Sequence, residues 1–145
     1  MKKLLLGLML FASATMSYAA PNDLTSLKND REQVVKNYIL DLQKADYKDI
    51  VQLFEKNGIV ISTSKGKVNA KDFFYAFLPN IVSAVTEIHQ LFLNANDSNR
   101  VAARFHFAFK LKDGEEGQGE YVDEFIFADN SNQLSAVYMF ENLKF

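Results

Sequence analysis

The sequence contains no cysteine and only two histidines among its 145 residues. Without cysteine the chain forms no disulfide, so its stability has to come from packing. Structural zinc sites are built from Cys and His side chains, so we predict no metal site. The motifs of P-loop and dinucleotide-binding proteins, serine hydrolases and zinc proteases are also absent, and we predict no cofactor.

An excess of basic charge is also lacking, because 16 Lys and Arg residues stand against 18 Asp and Glu residues. Removal of residues 1–20 takes away two lysines and leaves 14 basic against 18 acidic residues, a net charge of −4. Nucleic acids and anionic membranes attract basic surfaces. We therefore expect neither as a partner.

No apolar run is long enough to span a bilayer. The run Leu4–Ala12 follows the basic pair Lys2-Lys3 and precedes the small residues Ser17–Ala20. This order is typical of a bacterial secretory signal peptide. We predict cleavage after Ala19 or Ala20, a periplasmic or secreted protein, and no stable membrane anchor after cleavage.

Helices are predicted in the first half of the mature chain. Residues 21–29 are polar and predict a flexible lead-in, and Asp30 is suited to cap a helix that runs to about Lys44. Asp46 is suited to cap a second, shorter helix. That helix is expected to stop at Gly58 in a left-handed conformation.

Strands dominate the rest of the chain. Ile59–Ile61 predicts a short strand, and Asn69 is suited to cap a third helix. Turn-forming segments of hairpin length then separate four long predicted strands, which predicts an antiparallel meander. These strands cover about residues 84–94, 100–112, 119–129 and 134–143. The expected organisation is a signal peptide at 1–20, the lead-in at 21–29 and one α+β domain at 30–145.

The strand at 100–112 alternates between an apolar face, which runs from Val101 to Leu111 and includes Phe105, Phe107 and Phe109, and a more polar face. Such alternation indicates that one face packs on a core. In the next strand Val122 and Ile126 occupy the face opposite the aromatic row. Apolar residues on that outer face predict a second layer, which a partner subunit or a helix could supply, and we expect a homodimer through it.

Asp123 is the most informative residue, because its strand face otherwise carries Tyr121, Phe125 and Phe127. A buried carboxylate is costly unless it finds partners or stays protonated with a raised pKa. One interpretation is a structural carboxyl satisfied by a tyrosine or a backbone N–H. The other is a functional group in a pocket.

Three helices that cover one side of a curved antiparallel sheet form a cone. The segments Val34–Tyr38, Ala45–Phe54 and Val122–Phe127 are similar to segments of ketosteroid isomerases. Over about residues 30–143 the chain resembles the nuclear transport factor 2-like superfamily, which includes those isomerases, scytalone dehydratase and the SnoaL-like polyketide cyclases. The resemblance implies an α+β cone with a pocket inside it.

The resemblance also implies roles for individual residues. Tyr38 matches the isomerase's oxyanion-hole tyrosine, and Asp123 matches its neutral carboxylic acid, a pairing that stabilises a developing oxyanion. The position of the catalytic base corresponds to Ser62, and no carboxylate lies between Glu55 and Asp72. A serine without a partner base does not abstract a carbon-bound proton, so isomerase activity of that kind is not expected.

His89 is the alternative base, because its placement is similar to a histidine that SnoaL-like and dehydratase relatives project into the cone. The register of its strand leaves its side open: it faces outward if opposite His106 and inward if opposite Phe107. His106 itself is expected to face outward.

The pocket wall is predicted from alternation and from the resemblance. Ala136, Tyr138 and Phe140 are expected to point inward on the last strand, and the third helix contributes phenylalanines at the wide end. The predicted ligand-binding residues are Tyr38, Ser62, Phe77, Phe105, Phe107, Asp123, Phe125, Tyr138 and Phe140.

Three functions fit these features. The first is a periplasmic protein that binds a small apolar ligand in the cone without catalysis. The second is an isomerase, dehydratase or cyclase with His89 as base and Tyr38 and Asp123 as electrophile. The third is a protein-interaction module whose thirteen phenylalanines simply fill the cone.

Overall fold

A computed structural model describes residues 21–142. The predicted signal peptide, residues 1–20, lies outside the described residues, as do residues 143–145. The elements in chain order are α1 (Pro21–Lys44), α2 (Tyr47–Gln52), β1 (Phe54–Ser62), β2 (Gly66–Asn69), α3 (Ala70–Phe77), a short 3₁₀ turn (Leu78–Asn80), β3 (Ile81–Leu93), β4 (Arg100–Leu111), β5 (Glu116–Phe127) and β6 (Leu134–Asn142). None of the helices within this range is long and apolar enough to cross a membrane.

All six strands form one sheet in the order β2-β1-β6-β5-β4-β3. Strands β3 to β6 pair antiparallel in succession, which confirms the predicted meander. β1 runs parallel to β6, and β2, which the sequence did not predict as a strand, pairs antiparallel with β1. The α+β fold class and the three helices are confirmed. β3 and β2 are left as the two edges of the sheet.

The predicted helix caps at Asp46 and Asn69 are both present. The Asp46 carboxylate accepts hydrogen bonds from the backbone N–H groups of Lys48 and Asp49, at 3.1 and 3.0 Å. The Asn69 side chain accepts one from the N–H of Lys71 at 3.0 Å. Each acceptor satisfies donors that the first helical turn leaves free, which is why the helices begin there.

The start of α1 and the end of α2 differ from the predictions. α1 already begins at Pro21, so residues 21–29 are helical and Asp30 is not its cap. Proline is well suited to a first helical turn, where its missing N–H costs nothing. α2 ends at Gln52, and Gly58 lies within β1. A Cβ on Gly58 would lie 2.9 Å from the Phe54 side chain, so the glycine provides space for that ring.

The helices pack on the inner face of the sheet. Val35, Tyr38 and Ile39 of α1 are buried with Phe105 and Phe107 of β4 in a single core cluster. This confirms that the aromatic face of β4 is its buried face. Each buried aromatic side chain removes a large apolar area from water and contributes on the order of 2 kcal/mol.

A β-bulge sets which residues of β6 face inward. Leu134 pairs with Phe127, but Ala136 pairs with Ile126, so Ser135 is an extra residue between them. After the bulge Val137 lies opposite Phe125 on the inner face. The extra residue reverses the alternation for the remainder of the strand.

The predicted inward orientation of three β6 residues is therefore wrong. Ala136, Tyr138 and Phe140 lie on the outer face, and Phe140 is 54% exposed. Val137 and Met139 take their places inside the cone, Met139 directly across from Asp123.

A buried arginine, which the sequence analysis missed, ties α1 to two loops. The Arg31 side chain is fully buried. Its Nε donates to the carbonyl of Ser131 at 3.0 Å, and Nη2 donates to the carbonyls of Ala128 and Ser131 at 3.0 and 2.8 Å. Nη1 donates to the carbonyl of Ser98 at 2.7 Å and to the side chain of Asn99 at 2.8 Å. The guanidinium therefore fixes the β3–β4 and β5–β6 turns against the helix.

Candidate functional site

The structure brings Tyr38 and Asp123 together in the interior. The Tyr38 hydroxyl, on α1, donates a long hydrogen bond of 3.5 Å to Oδ2 of Asp123, on β5. Tyr38 is fully buried and Asp123 is 2% exposed. The other carboxyl oxygen, Oδ1, is the one fully buried side-chain N or O atom without a hydrogen-bond partner among the described residues.

Burial dominates the electrostatics of this pair. It raises the pKa of Asp123 to about 8, and the hydrogen bond from Tyr38 opposes that rise only in part. Burial, followed by the proximity of Asp123, raises the pKa of the Tyr38 hydroxyl well above its ordinary value. Both groups are thus neutral near pH 7, as a low-dielectric site favours. Two neutral O–H groups at one point have the chemistry needed to hold a carbonyl or hydroxyl oxygen.

Aromatic rings enclose the pair. The Tyr38 ring lies 4.9 Å from Phe125, 5.8 Å from Phe74 and 6.3 Å from Phe54, measured between ring centroids. The first two contacts are edge-to-face, the arrangement that aromatic pairs prefer. These rings are themselves buried and form part of the continuous core.

Two cavities in the described chain lie away from this pair. One, of about 350 Å³, is lined by residues from the start of α1 and from the β3–β4 turn. The other, of about 400 Å³, lies where β3, β4 and β5 meet near the β4–β5 hairpin. Neither is lined by Tyr38 or Asp123. Because Tyr38 is fully buried and Asp123 is 2% exposed, the cone is filled around the two residues that were expected to orient a ligand.

The other predicted lining residues are divided between core and surface. Phe105, Phe107 and Phe125 face inward as expected, but they are buried in the core cluster. Phe77 is half-buried and packs edge-to-face on Phe109 at 5.2 Å. Tyr138 lies on the outer face of the sheet with Phe140, so these two residues do not join the Tyr38–Asp123 pair.

Ser62 closes a turn at the end of β1. Its hydroxyl accepts a hydrogen bond from the backbone N–H of Lys65 at 3.2 Å and lies 3.5 Å from the hydroxyl of Ser64. The side chain is thus used locally, in a part of the chain that carries no carboxylate. These local hydrogen bonds account for a serine at position 62 without a catalytic role for its hydroxyl.

His89 lies on the outer face, so its proposed role as a base for the interior pair is wrong. Ile88 pairs with Phe105 and Gln90 with Arg104, which leaves His89 as the extra residue of a β-bulge in β3. Its Nε2 lies 3.3 Å from Glu120. A register prediction from the turn alone does not foresee this bulge.

His106 shares the same carboxylate, which confirms that it faces outward. Its Nδ1 lies 3.2 Å from Oε1 of Glu120, the residue directly opposite it on β5. Glu87 approaches His89 Nδ1 at 4.0 Å. Among the described residues, no group of His, Cys, Asp and Glu side chains is arranged to hold a metal ion.

Comparison with solved structures gives matches that cover about four-fifths of the chain. The epoxide hydrolase/cyclase-like enzyme SalBIII, which has a role in pyran ring formation in the polyether salinomycin, matches with a TM-score of 0.67 and 15% identity, over 80% of this chain and 93% of that one. The pinacolase BvnE from Penicillium brevicompactum matches at 0.68 and 10% identity, over 80% and 88%. A nuclear transport factor 2-like protein of unknown function from Burkholderia pseudomallei matches at 0.62 and 10% identity, over 79% and 92%. No family model and no curated protein sequence matches the chain.

These likenesses establish the fold. The chain has the nuclear transport factor 2-like cone that the sequence resemblance predicted. Proteins with this fold include enzymes and proteins without known activity. Because one fold supports many functions, the chemistry of this chain depends on its own residues.

Proposed function

We propose that this chain, which has the nuclear transport factor 2-like fold, is a non-catalytic interaction protein that works through the outer face of its sheet, as a homodimer. The observation that carries the proposal is the filled cone. Tyr38 and Asp123 are buried among aromatic rings, and neither residue lines the cavities described above. A protein without an accessible interior has to bind through its surface.

The positions of the candidate bases support the same conclusion. His89 contacts Glu120 on the outside of the sheet, and the hydroxyl of Ser62 is used in a turn. A general base must come within hydrogen-bond reach of the proton that it removes. Neither residue is placed to act together with the interior Tyr38–Asp123 pair.

The outer face has the composition of an interface. Val122 is 37% exposed and lies opposite Phe140, which is 54% exposed. Ile126 and Tyr138 are half-buried on the same face. The Arg100–Glu124 ion pair, at 2.8 Å, lies among these residues, because Glu124 pairs with Tyr138 and Arg100 with Ile126. Exposed apolar and aromatic side chains beside charges that are already paired suit a protein interface.

Sedimentation equilibrium tests the dimer. We expect the mature chain to dimerise and Val122→Asp to shift it to monomer, because a buried unpaired carboxylate is costly at an interface. Leu40→Asp is the matched control, since Leu40 is 42% exposed on α1, in the opposite layer. A parent that stays monomeric at high micromolar concentration, or equal effects of both substitutions, would contradict the proposal.

A second candidate function rests on one specific observation, the unpaired Oδ1 of Asp123. A small apolar molecule with one carbonyl or hydroxyl group could satisfy this atom if the surrounding rings moved apart. Native mass spectrometry of the protein purified from its own host tests this candidate. A bound small molecule that is lost in Asp123→Leu and retained in Val122→Asp would favour it over the interaction module.

Export is part of the proposal and has its own test. The n-region, apolar run and small residues before Pro21 support secretion. Expression of the full chain in a bacterium, followed by intact mass measurement of the periplasmic fraction, should give a chain that begins at Ala20 or Pro21. A full-length chain confined to the cytoplasm would count against export.

A further inference from the structure

The C-terminal half of β3 presents an unpaired strand edge. β3 is the last strand of the sheet, and β4 is its only neighbour in the described chain. Thr86 lies opposite Phe107, and its N–H is bonded to the side chain of Gln43 rather than to β4. In an antiparallel ladder such pairs alternate with hydrogen-bonded ones. The peptide groups of inner-facing residues in β3 therefore point to the free edge.

Two later residues of β3 share this orientation. Leu91 pairs with Ala103, and Leu93 pairs with Val101. Ala103 and Val101 lie on the same inner face of β4 as Phe107, four and six residues before it. Each of the two leucines thus offers one N–H and one C=O to the free edge. Gln43 covers the edge only near Thr86.

This part of the edge lacks the charged residues and prolines that usually protect an edge strand against pairing. Natural edge strands carry lysines, prolines or a covering element. Residues 90–93 contain no charged residue and no proline, and Phe92 and Leu93 are 43% and 40% exposed. The bulge at His89 protects the middle of the strand but not its end.

A cavity adjoins the same end of β3. Its volume is about 350 Å³, and it is open to solvent. Leu93 and Val101 form the apolar part of the cavity wall, and Lys28 and Arg100 contribute its positively charged side chains. Arg100 is neutralised by Asp97 and Glu124 at 3.1 and 2.8 Å. Lys28 forms no ion pair with any residue in the described range.

We propose that the C-terminal half of β3 binds an extended acidic peptide of another protein as a seventh strand of the sheet. The peptide backbone pairs with the free edge groups of Leu91 and Leu93. One inward apolar side chain enters the cavity beside Val101, and a carboxylate reaches Lys28. Main-chain bonds then supply affinity while the cavity and the lysine supply specificity. This surface borders the outer face assigned to the dimer at Arg100, which lines the cavity and pairs with Glu124.

Fluorescence anisotropy with labelled heptapeptides tests the proposal. The peptides alternate valine and threonine, with one glutamate moved through each position in turn. We expect saturable binding by at least one of them and loss of binding when its edge-facing amides are N-methylated. Lys28→Glu should weaken binding about tenfold, whereas Lys36→Glu, at an exposed site on the same helix, should leave it unchanged.

Backbone variants separate edge pairing from side-chain contact. Leu93→Pro removes the edge N–H without breaking a bond to β4 and should abolish binding, while Leu93→Ala should only weaken it. The proposal is overturned if no peptide binds below about 1 mM, or if N-methylation or Lys28→Glu has no effect. It is also overturned if Leu93→Pro dissociates a dimer that Val122→Asp leaves intact, because the occupant would then be a second copy of the chain.

Discussion

The Tyr38 hydroxyl reaches Oδ2 of Asp123 at 3.5 Å, and the second oxygen of the same carboxyl group has no partner. Only one of the two carboxyl oxygens of Asp123 therefore has a hydrogen-bond partner among the described residues, and both residues are buried away from solvent. An ionised carboxylate in that place would be strongly destabilising, whereas a neutral acid costs less. Protonation of Asp123 thus stabilises the core.

The first prediction follows from the raised pKa of Asp123, about 8. Between its ordinary value near 4 and this value, the unfolded chain releases the proton while the folded chain retains it. The free energy of unfolding must therefore fall as the pH rises through this range and level off above about 8. Carbon-13 NMR of the Asp123 carboxyl should show a midpoint near 8, and a midpoint near 4 would contradict the burial.

Urea unfolding of two asparagine variants separates the buried acids. Burial, with the charges of Asp46 and Asp49, also raises the pKa of Asp41, to about 6. The unfolding free energy of the parent protein should fall by about 2 kcal/mol between pH 6 and pH 8, and Asp123→Asn should abolish this fall. Asp41→Asn should alter the profile only below about pH 6. Identical profiles for the two variants would exclude this assignment.

The second prediction concerns the Tyr38 hydroxyl. Its hydrogen bond favours the ionised form of Asp123 and lowers that group's pKa. Tyr38→Phe should therefore raise the pKa of Asp123 further, and it should cost only about 1 kcal/mol of stability because the ring is retained. The same NMR titration measures the shift. A lower pKa in the variant would mean that the two groups do not interact as described.

The third prediction tests the buried Arg31. Arg31→Met removes the guanidinium donor from four carbonyl or amide oxygens in two loops, of which only the Ala128 carbonyl keeps a backbone N–H partner within the described chain, and should lower the unfolding free energy by about 3 kcal/mol or more. Arg31→Lys should recover only part of this, because an ammonium group cannot reproduce the planar fork. Lys36→Met, on the exposed side of α1, is the control. Urea denaturation that gives equal losses for Arg31→Met and Lys36→Met would refute the role.

Sequence patterns predicted the fold because its strongest signals are local and periodic. The alternation in β4, which includes Phe105, Phe107 and Phe109, requires one buried face. Asp46 and Asn69 are efficient helix caps whatever the tertiary context. The position of Asp123 among aromatic residues was sufficient to predict its burial and its raised pKa.

The errors in the candidate site came from single inserted residues and from close packing. The extra residues Ser135 and His89 each form a bulge, and a bulge reverses every orientation deduced from alternation beyond it. Whether rings fill a cone depends on distances such as the 4.9 Å between Tyr38 and Phe125, which composition does not give. The role of Arg31 depends on carbonyl groups about a hundred residues away in the chain, so no local pattern marks it.

The last prediction concerns Gly117 of β5 and the ring of Phe109, which lies directly over it. A Cβ at Gly117 would overlap the Phe109 ring, so Gly117→Ala must displace that ring from its edge-to-face contact with Phe77. Overpacking of this kind typically costs about 1–3 kcal/mol. In a Phe109→Leu background the same glycine substitution should cost much less, because the obstructing ring atoms are gone. A double-mutant cycle by urea unfolding measures the coupling, and additive effects of the two substitutions would show that Gly117 is retained for another reason.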